Sequence, residues 1–174
     1  MNDLMGPVAE IARLWLLVAL LVAAWGKSFH FGQFRRDLAK SFPGLRPYVV
    51  PVGAAIIVAE WGSAALVVLG GPFARYGLIA TLALFIVFTT VIAVSLAQDR
   101  TVLCSCFGGS SHRISAYDLV RNLLFIGAAG FALGTPSLPA DDVFLRVMLA
   151  GVAVIFFLIS TALQDIVAVL RIKV

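Results

Sequence analysis

Five long runs of apolar residues dominate the chain, and short polar segments separate them. They cover residues 8–31, 48–69, 74–97, 116–133 and 143–170. Each run suffices for a helix of about 20 residues, which crosses a hydrocarbon core about 30 Å thick. The third run carries no charge between Arg75 and Gln98 and shows none of the alternation of a membrane β-barrel. The pattern predicts an all-α integral membrane protein.

The composition agrees with this prediction. Of the 174 residues, 61% are hydrophobic and 13% are charged, whereas a soluble domain is about half apolar and about one quarter charged. A water-soluble globule and a disordered chain are both excluded. The net charge of +4 comes from basic clusters beside apolar runs, which favours contact with lipid headgroups over nucleic acid. We expect one membrane domain over residues 1–174, with a first helix that is retained rather than cleaved.

Two of the connections have a recognisable character. Gly70, Gly71 and Pro72 predict a tight turn between the second and third spans. Residues 32–47 are basic and amphipathic, which predicts a short interfacial helix ended by Pro43 and Gly44. Its apolar positions at helical spacing are Phe34, Leu38 and Phe42, and its basic positions are Arg35, Arg36 and Lys40.

The distribution of positive charge predicts the orientation in the plasma (inner) membrane. With five spans, the first long loop, the loop at residues 98–117 and the C-terminus share one face. That face holds most of the lysines and arginines, while the other holds only Arg13, Arg75 and Arg146. The positive-inside rule therefore assigns the loop at residues 98–117 to the cytoplasmic side.

Cys104 and Cys106, the only cysteines, both lie in that polar loop. Cysteines in apolar spans are usually small hydrophobes without a chemical role, but this loop is rich in Ser and Gly. A disulfide between thiols this close closes a strained ring, and strain makes the bond easier to reduce. Arg100, Arg113 and a helix N-terminus at Ser115 would favour the reactive thiolate. The pair therefore predicts an exchangeable thiol–disulfide couple.

A metal site is the competing interpretation of the same loop. Cys104, Cys106 and His112 lie within it, and His30 ends the first span on the same face. Two cysteines and two histidines suit zinc or copper(I). The Cys-x-Cys spacing is tighter than that of the usual zinc motifs, so the redox interpretation is favoured.

Charged and polar residues within the spans form the next feature. Lys27 and Glu60 each cost at least about 2.5–3.5 kcal/mol inside a membrane unless they are paired. Pairing between neighbouring spans gives either a structural ion pair with Lys27 near the interface, or a proton or quinone-headgroup site beneath the cysteines. Arg121 and Asn122 either brace the cysteine loop or mark the membrane interface.

Together these motifs resemble the MauE branch of the DoxX-like, redox-associated membrane proteins. The resemblance covers about residues 8–133, and the fifth span lies outside it. It implies a four-helix transmembrane bundle of the DoxX/MauE type, here with a fifth C-terminal helix. It also implies a role in disulfide formation or thiol handling in a bacterial inner membrane, beside a thioredoxin-like partner. The positions that carry it are Lys27, Pro51, Glu60, Cys104, Ser105, Cys106, Phe107, Gly108, Ile114, Ser115, Arg121 and Asn122.

Two functions from different classes follow. The first is a membrane thiol–disulfide oxidoreductase in which Cys104 and Cys106 cycle, with a lipid quinone between the spans as a candidate electron acceptor. Oxidative folding outside the cell needs the cysteines outside, whereas the charge distribution assigns them inside. The second is a non-catalytic accessory subunit that stabilises or regulates a larger membrane complex such as a transporter. A channel or secondary transporter is less favoured, because no inverted repeat or pair of broken helices is visible.

Overall fold

The computed structural model describes the backbone of residues 2–98, 103–104, 112–113, 115–135 and 143–171. Side chains are described over residues 5–98, 115–135 and 144–162. The chain order is α1 (Asn2–Phe29), α2 (Phe31–Ser41), a 3₁₀ helix (Pro43–Tyr48), α3 (Val49–Leu69), α4 (Gly71–Ala97), β1 (Leu103–Cys104), β2 (His112–Arg113), α5 (Ala116–Gly134) and α6 (Val143–Arg171).

Within the part of the chain that the structure describes, five helices are long and apolar enough to cross a membrane, which confirms the predicted spans and the all-helical membrane fold. They are α1, α3, α4, α5 and α6. The first begins at Asn2, before the predicted start, and ends at Phe29 because His30 leaves the helical conformation (φ −106°, ψ 34°). Many large apolar side chains remain exposed on the outer faces of these helices, where the bilayer contacts them.

The predicted short amphipathic helix is α2. Arg35, Arg36 and Lys40 are exposed on one side of it, whereas Phe34 is half-buried. The helix stops at Ser41 because Phe42 is extended (φ −130°, ψ 81°), and the chain continues as the 3₁₀ helix from Pro43.

A glycine allows α2 to pack closely on the first turns of α3. A Cβ added at Gly53 would lie 3.2 Å from a ring carbon of Phe31 and 3.5 Å from one of Phe34. The amphipathic helix therefore covers the beginning of α3 instead of extending away from the bundle.

Helices α3 and α4 form a tight hairpin at the predicted turn. Gly70 and Gly71 both have positive φ angles, 71° and 54°, which a residue with a side chain rarely adopts. Close packing continues beyond the turn, because a Cβ at Gly77 would lie only 2.7 Å from the backbone nitrogen of Val67. The two helices therefore approach at backbone distance near the turn.

The core lies among α1, α4 and α5, and an aromatic stack marks its centre. The ring centroids of Trp15 and Phe125 are 4.8 Å apart, as are those of Phe85 and Phe125. Leu16 and Ala19 of α1 are fully buried in the same cluster. Helix α3 packs on α1 and α4, and α6 packs along α1, with Phe157 reaching the core cluster. The result is a four-helix bundle with a fifth helix on its side, as predicted.

A buried charge cluster ties α5 and α6 to α1 at the end of the bundle remote from the cysteine loop. The Arg13 guanidinium donates to the backbone oxygens of Ala132 (2.8 Å) and Thr135 (2.5 Å) at the end of α5. It also pairs with Glu10 at 3.3 Å, and Glu10 lies 3.8 Å from Arg146 of α6. Arg13 therefore satisfies helix-end carbonyls that lack intrahelical partners.

Candidate functional site

A buried ion pair joins α1 to α3. The Lys27 ammonium donates to Oε1 of Glu60 at 2.5 Å, and the two residues are only 3% and 1% exposed. The expected pairing of these two charges is therefore confirmed. The next residues are also bonded, because the indole nitrogen of Trp61 donates to the Ser28 hydroxyl at 3.3 Å.

The position of α2 explains how a lysine near the end of one span meets a glutamate in the middle of another. Helix α1 ends at Phe29, two residues after Lys27, and α2 then packs against the first turns of α3. The end of α1 is thus level with the middle of α3. The Lys27 side chain does not extend to the surface of the bundle, as a lysine that reaches toward the membrane interface would, because it is enclosed within the bundle.

The ion pair is shielded from solvent and lies beside aromatic rings. The Lys27 ammonium lies 5.5 Å from the ring centroid of Phe88 and 5.9 Å from that of Phe34, at distances typical of cation–π contact. The other carboxylate oxygen of Glu60 is buried and has no hydrogen-bond partner among the described residues. Beside it lies a cavity of about 20 Å³, lined in part by Asn122. That volume accommodates one water molecule.

Arg121 and Ser115 organise the beginning of α5. Ser115 caps this helix, and the Asp118 carboxylate accepts from its backbone nitrogen (2.9 Å) and its hydroxyl (3.1 Å). Arg121 pairs with the same carboxylate at 3.0 Å, and both charged residues are buried. The N-terminus predicted at Ser115 is confirmed. Asn122 lies farther along the helix, at the small cavity beside the ion pair.

The cysteine loop begins and ends in a short antiparallel ladder. Cys104 of β1 pairs with His112 of β2, and Leu103 pairs with Arg113. The backbone of β1 lies against α2. The side chains of Cys104 and His112, and Cys106 as a whole, lie outside the described residues, so the thiol couple stays a prediction.

The metal interpretation of this loop also stays a prediction. His30 is exposed, with its Nδ1 3.2 Å from the Gly26 carbonyl oxygen. Over the side chains described here, no group of three or more His, Cys, Asp or Glu is arranged to hold a metal ion. Cys104, Cys106 and His112 are not among those side chains.

A large apolar cavity, which the sequence did not predict, lies between α2, α3 and α4. Its volume is about 760 Å³, and Lys27 contributes the ammonium group on its wall. Helices α3 and α4 look like uniform lipid-facing spans in sequence, so no pattern distinguishes the lining positions. The rings of Phe34 and Phe88 lie at its wall within cation–π distance of Lys27. Lys27, Leu84 and Phe88 line both this cavity and the small one.

Comparison with known proteins adds one relationship. The model of the family described as "Methylamine utilisation protein MauE" matches residues 5–135, which cover α1 to α5 and leave α6 outside. Neither the search of curated proteins nor that of solved structures found a match. The resemblance noted in the sequence is thereby confirmed over the four-helix bundle.

Proposed function

The chain belongs to the MauE family of membrane proteins, and on that premise we propose that it is a membrane thiol–disulfide redox protein. Cys104 and Cys106 alternate between dithiol and disulfide and exchange electrons with a thioredoxin-like partner. The family match gives membership and a multi-pass membrane location, and the redox chemistry is our inference from the residues.

The observation that carries the proposal is the buried Lys27–Glu60 pair on the side of α2 that faces the bundle, with the cysteine-bearing strand against α2. A buried ion pair gains little stability, because desolvation offsets most of the attraction between the charges. Charged groups retained within a membrane span are therefore functional candidates by default. A proton-handling pair next to the segment that supports a thiol loop fits redox chemistry, in which protons move with electrons.

The exchange step follows ordinary thiol–disulfide chemistry. A thiolate of the reduced partner attacks one sulfur of the Cys104–Cys106 disulfide, which breaks that bond and forms a mixed disulfide. The partner's second thiolate then attacks the mixed disulfide. The partner leaves as a disulfide, and Cys104 and Cys106 remain as a dithiol that has gained two electrons. As the sequence predicts, Arg100, Arg113 and the N-terminus of α5 at Ser115 would favour the reactive thiolate.

Thiol trapping in membranes tests the couple directly. Alkylation with a maleimide of high mass, before and after mild reduction, should show that wild type shifts between oxidised and reduced forms. Cys104→Ser and Cys106→Ser should each show one permanently free thiol, and Ser105→Ala, a control within the same loop, should behave as wild type. Wild-type cysteines that remain reduced with every oxidant and partner would disprove the function.

The same reagents test the predicted orientation. We propose a plasma-membrane location with the cysteine loop on the cytoplasmic side, as the charge distribution indicates. A membrane-impermeant maleimide applied to intact cells after reduction should then leave Cys104 and Cys106 unlabelled. Labelling from outside would contradict this orientation and would make oxidative folding outside the cell possible.

A second candidate function rests on α6. This helix lies outside the family match and packs along α1, and its outer face carries exposed Phe144, Ile155 and Leu158. Such a face suits a non-catalytic subunit that stabilises a larger membrane complex. Full activity and an intact complex after replacement of both cysteines by serine would favour this alternative over the redox function.

A further inference from the structure

The large cavity between α2, α3 and α4 contains features of a binding site for one class of molecule. We propose that it binds an isoprenoid quinone, with the ring beside Lys27 and the tail leaving between α3 and α4 toward lipid. This inference rests on the proposed function and names the electron acceptor of the same thiol couple.

The shape and lining of the cavity favour a lipid-soluble occupant. Its volume of about 760 Å³ lies within the range of about 300–1,000 Å³ that is common for small-molecule sites. Lining residues such as Ala59, Ala83 and Val87 are exposed at the surface of the bundle, so the cavity opens sideways within the membrane-spanning region. A long apolar tail can leave there without crossing a polar surface.

The cavity lining includes the polar residues Lys27, Asp37, Ser41 and Ser63. The buried Asp37 side chain gives no attraction to an anion, so these groups favour a neutral molecule with carbonyl oxygens. Lys27 has three N–H donors, and within the described residues only Glu60 accepts from them. Because Glu60 neutralises Lys27, the site gives little attraction to a phosphate headgroup, whereas a carbonyl oxygen can accept a donor of Lys27. Phe34 and Phe88 flank the ammonium and offer aromatic faces on which a planar ring stacks.

The electron balance of the reaction is complete with a quinone. Two S–H bonds break at Cys104 and Cys106 and one S–S bond forms, which releases two electrons and two protons. The quinone takes up the two electrons and the two protons, and its two carbonyl oxygens become hydroxyls. Glu60 lines the water-sized cavity beside Asn122 and accepts a hydrogen bond from Lys27, and Lys27 lines both cavities, so a proton can pass from Glu60 through Lys27 toward the ring.

Binding of decylubiquinone to the full-length protein in phospholipid nanodiscs tests the site. Uptake by empty nanodiscs is subtracted. Val87→Trp fills the cavity mouth and should weaken binding about tenfold or more, because a filled cavity forces displacement of the ligand. The matched control is Ile86→Trp on the same helix, since Ile86 is similarly exposed but does not line the cavity. The double variant Lys27→Met/Glu60→Leu removes the polar contact and should also weaken binding about tenfold.

The outcomes separate the site from the redox function. No uptake beyond that of empty nanodiscs would mean that the quinone only partitions into lipid, and equal net uptake by wild type, Val87→Trp and Ile86→Trp would mean that it binds elsewhere; either result would overturn the site. The variant Cys104→Ser/Cys106→Ser should bind decylubiquinone as wild type does. Binding of decylubiquinone without any oxidation of the thiols by the bound quinone would overturn its assignment as the electron acceptor, whereas the thiol-trapping assay separately decides whether Cys104 and Cys106 exchange with a partner. Thiol exchange with a partner by a protein that does not bind decylubiquinone would overturn the quinone site and leave the redox function intact.

Discussion

Removal of one member of the Lys27–Glu60 pair should destabilise the protein far more than removal of both. Their nitrogen and oxygen atoms lie 2.5 Å apart, so the attraction is about 7 kcal/mol at an effective dielectric constant of about 20. Desolvation costs several kcal/mol for each ion, which cancels most of this attraction. The intact pair therefore contributes little net stability, although either charge left alone is costly.

We expect Lys27→Met and Glu60→Leu each to lower the free energy of unfolding by about 3 kcal/mol, because each leaves an uncompensated buried charge. The double variant Lys27→Met/Glu60→Leu should lie within about 1 kcal/mol of wild type, since two apolar side chains of similar size replace the pair. The measurement is equilibrium unfolding in mixed micelles with increasing dodecyl sulfate, followed by tryptophan fluorescence. Arg75→Met, which removes an exposed charge at the start of α4, is the control and should change stability by less than about 0.5 kcal/mol.

A double variant that loses the sum of the two single effects would refute this reasoning. The two charges would then act independently, and the contact between them would not explain their burial. Single variants as stable as wild type would also contradict it, because they would show that an unpaired charge at this depth has no cost.

The same unfolding measurement tests the contributions of other contacts to stability. Gly77→Ala should lower the free energy of unfolding by about 1–3 kcal/mol, because the added Cβ would meet backbone atoms of α3. Its control is Gly127→Ala, which has open space around it and should leave stability unchanged or raise it. Ser115→Ala should lower the free energy of unfolding by about 1 kcal/mol through loss of the helix cap. Asp118→Asn should lower it more, because it also weakens the ion pair with the buried Arg121. Arg13→Met should cost about 3 kcal/mol, since helix-end carbonyls and a buried glutamate lose their donor. Values near zero for Asp118→Asn or Arg13→Met would show that these buried charges do not hold the ends of α5.

The stability of Lys27→Met/Glu60→Leu decides how a loss of quinone binding in that variant is interpreted. If Lys27→Met/Glu60→Leu folds as well as wild type, a loss of decylubiquinone affinity in that variant reflects the missing polar contact rather than a disturbed bundle. If the double variant is unstable, Val87→Trp and Ile86→Trp still give the comparison, because neither residue takes part in the ion pair.

The fold class was decided by the sequence alone, because membrane-spanning helices are specified locally. In a hydrocarbon environment every backbone N–H and C=O group must be bonded within its own segment, so a run of about 20 apolar residues is sufficient to predict a helix. The helix ends and the tight turn were also specified by local sequence. Gly70 and Gly71 mark the hairpin, Pro43 follows the end of α2, and Ser115 caps α5. The expectation that Lys27 and Glu60 pair came from the cost of an isolated charge in the membrane, which also needs no coordinates.

What required the tertiary structure was the depth at which these groups meet and the space around them. In sequence, Lys27 lies near the end of one span and Glu60 in the middle of another, and only the packing of α2 on Gly53 shows why they are level. The cavity between α2, α3 and α4 is invisible in a uniform apolar pattern, because lipid-facing and cavity-lining positions have the same composition. Such features depend on which helices are neighbours and how closely they approach, and that is decided by side chains distant in sequence rather than by any one segment.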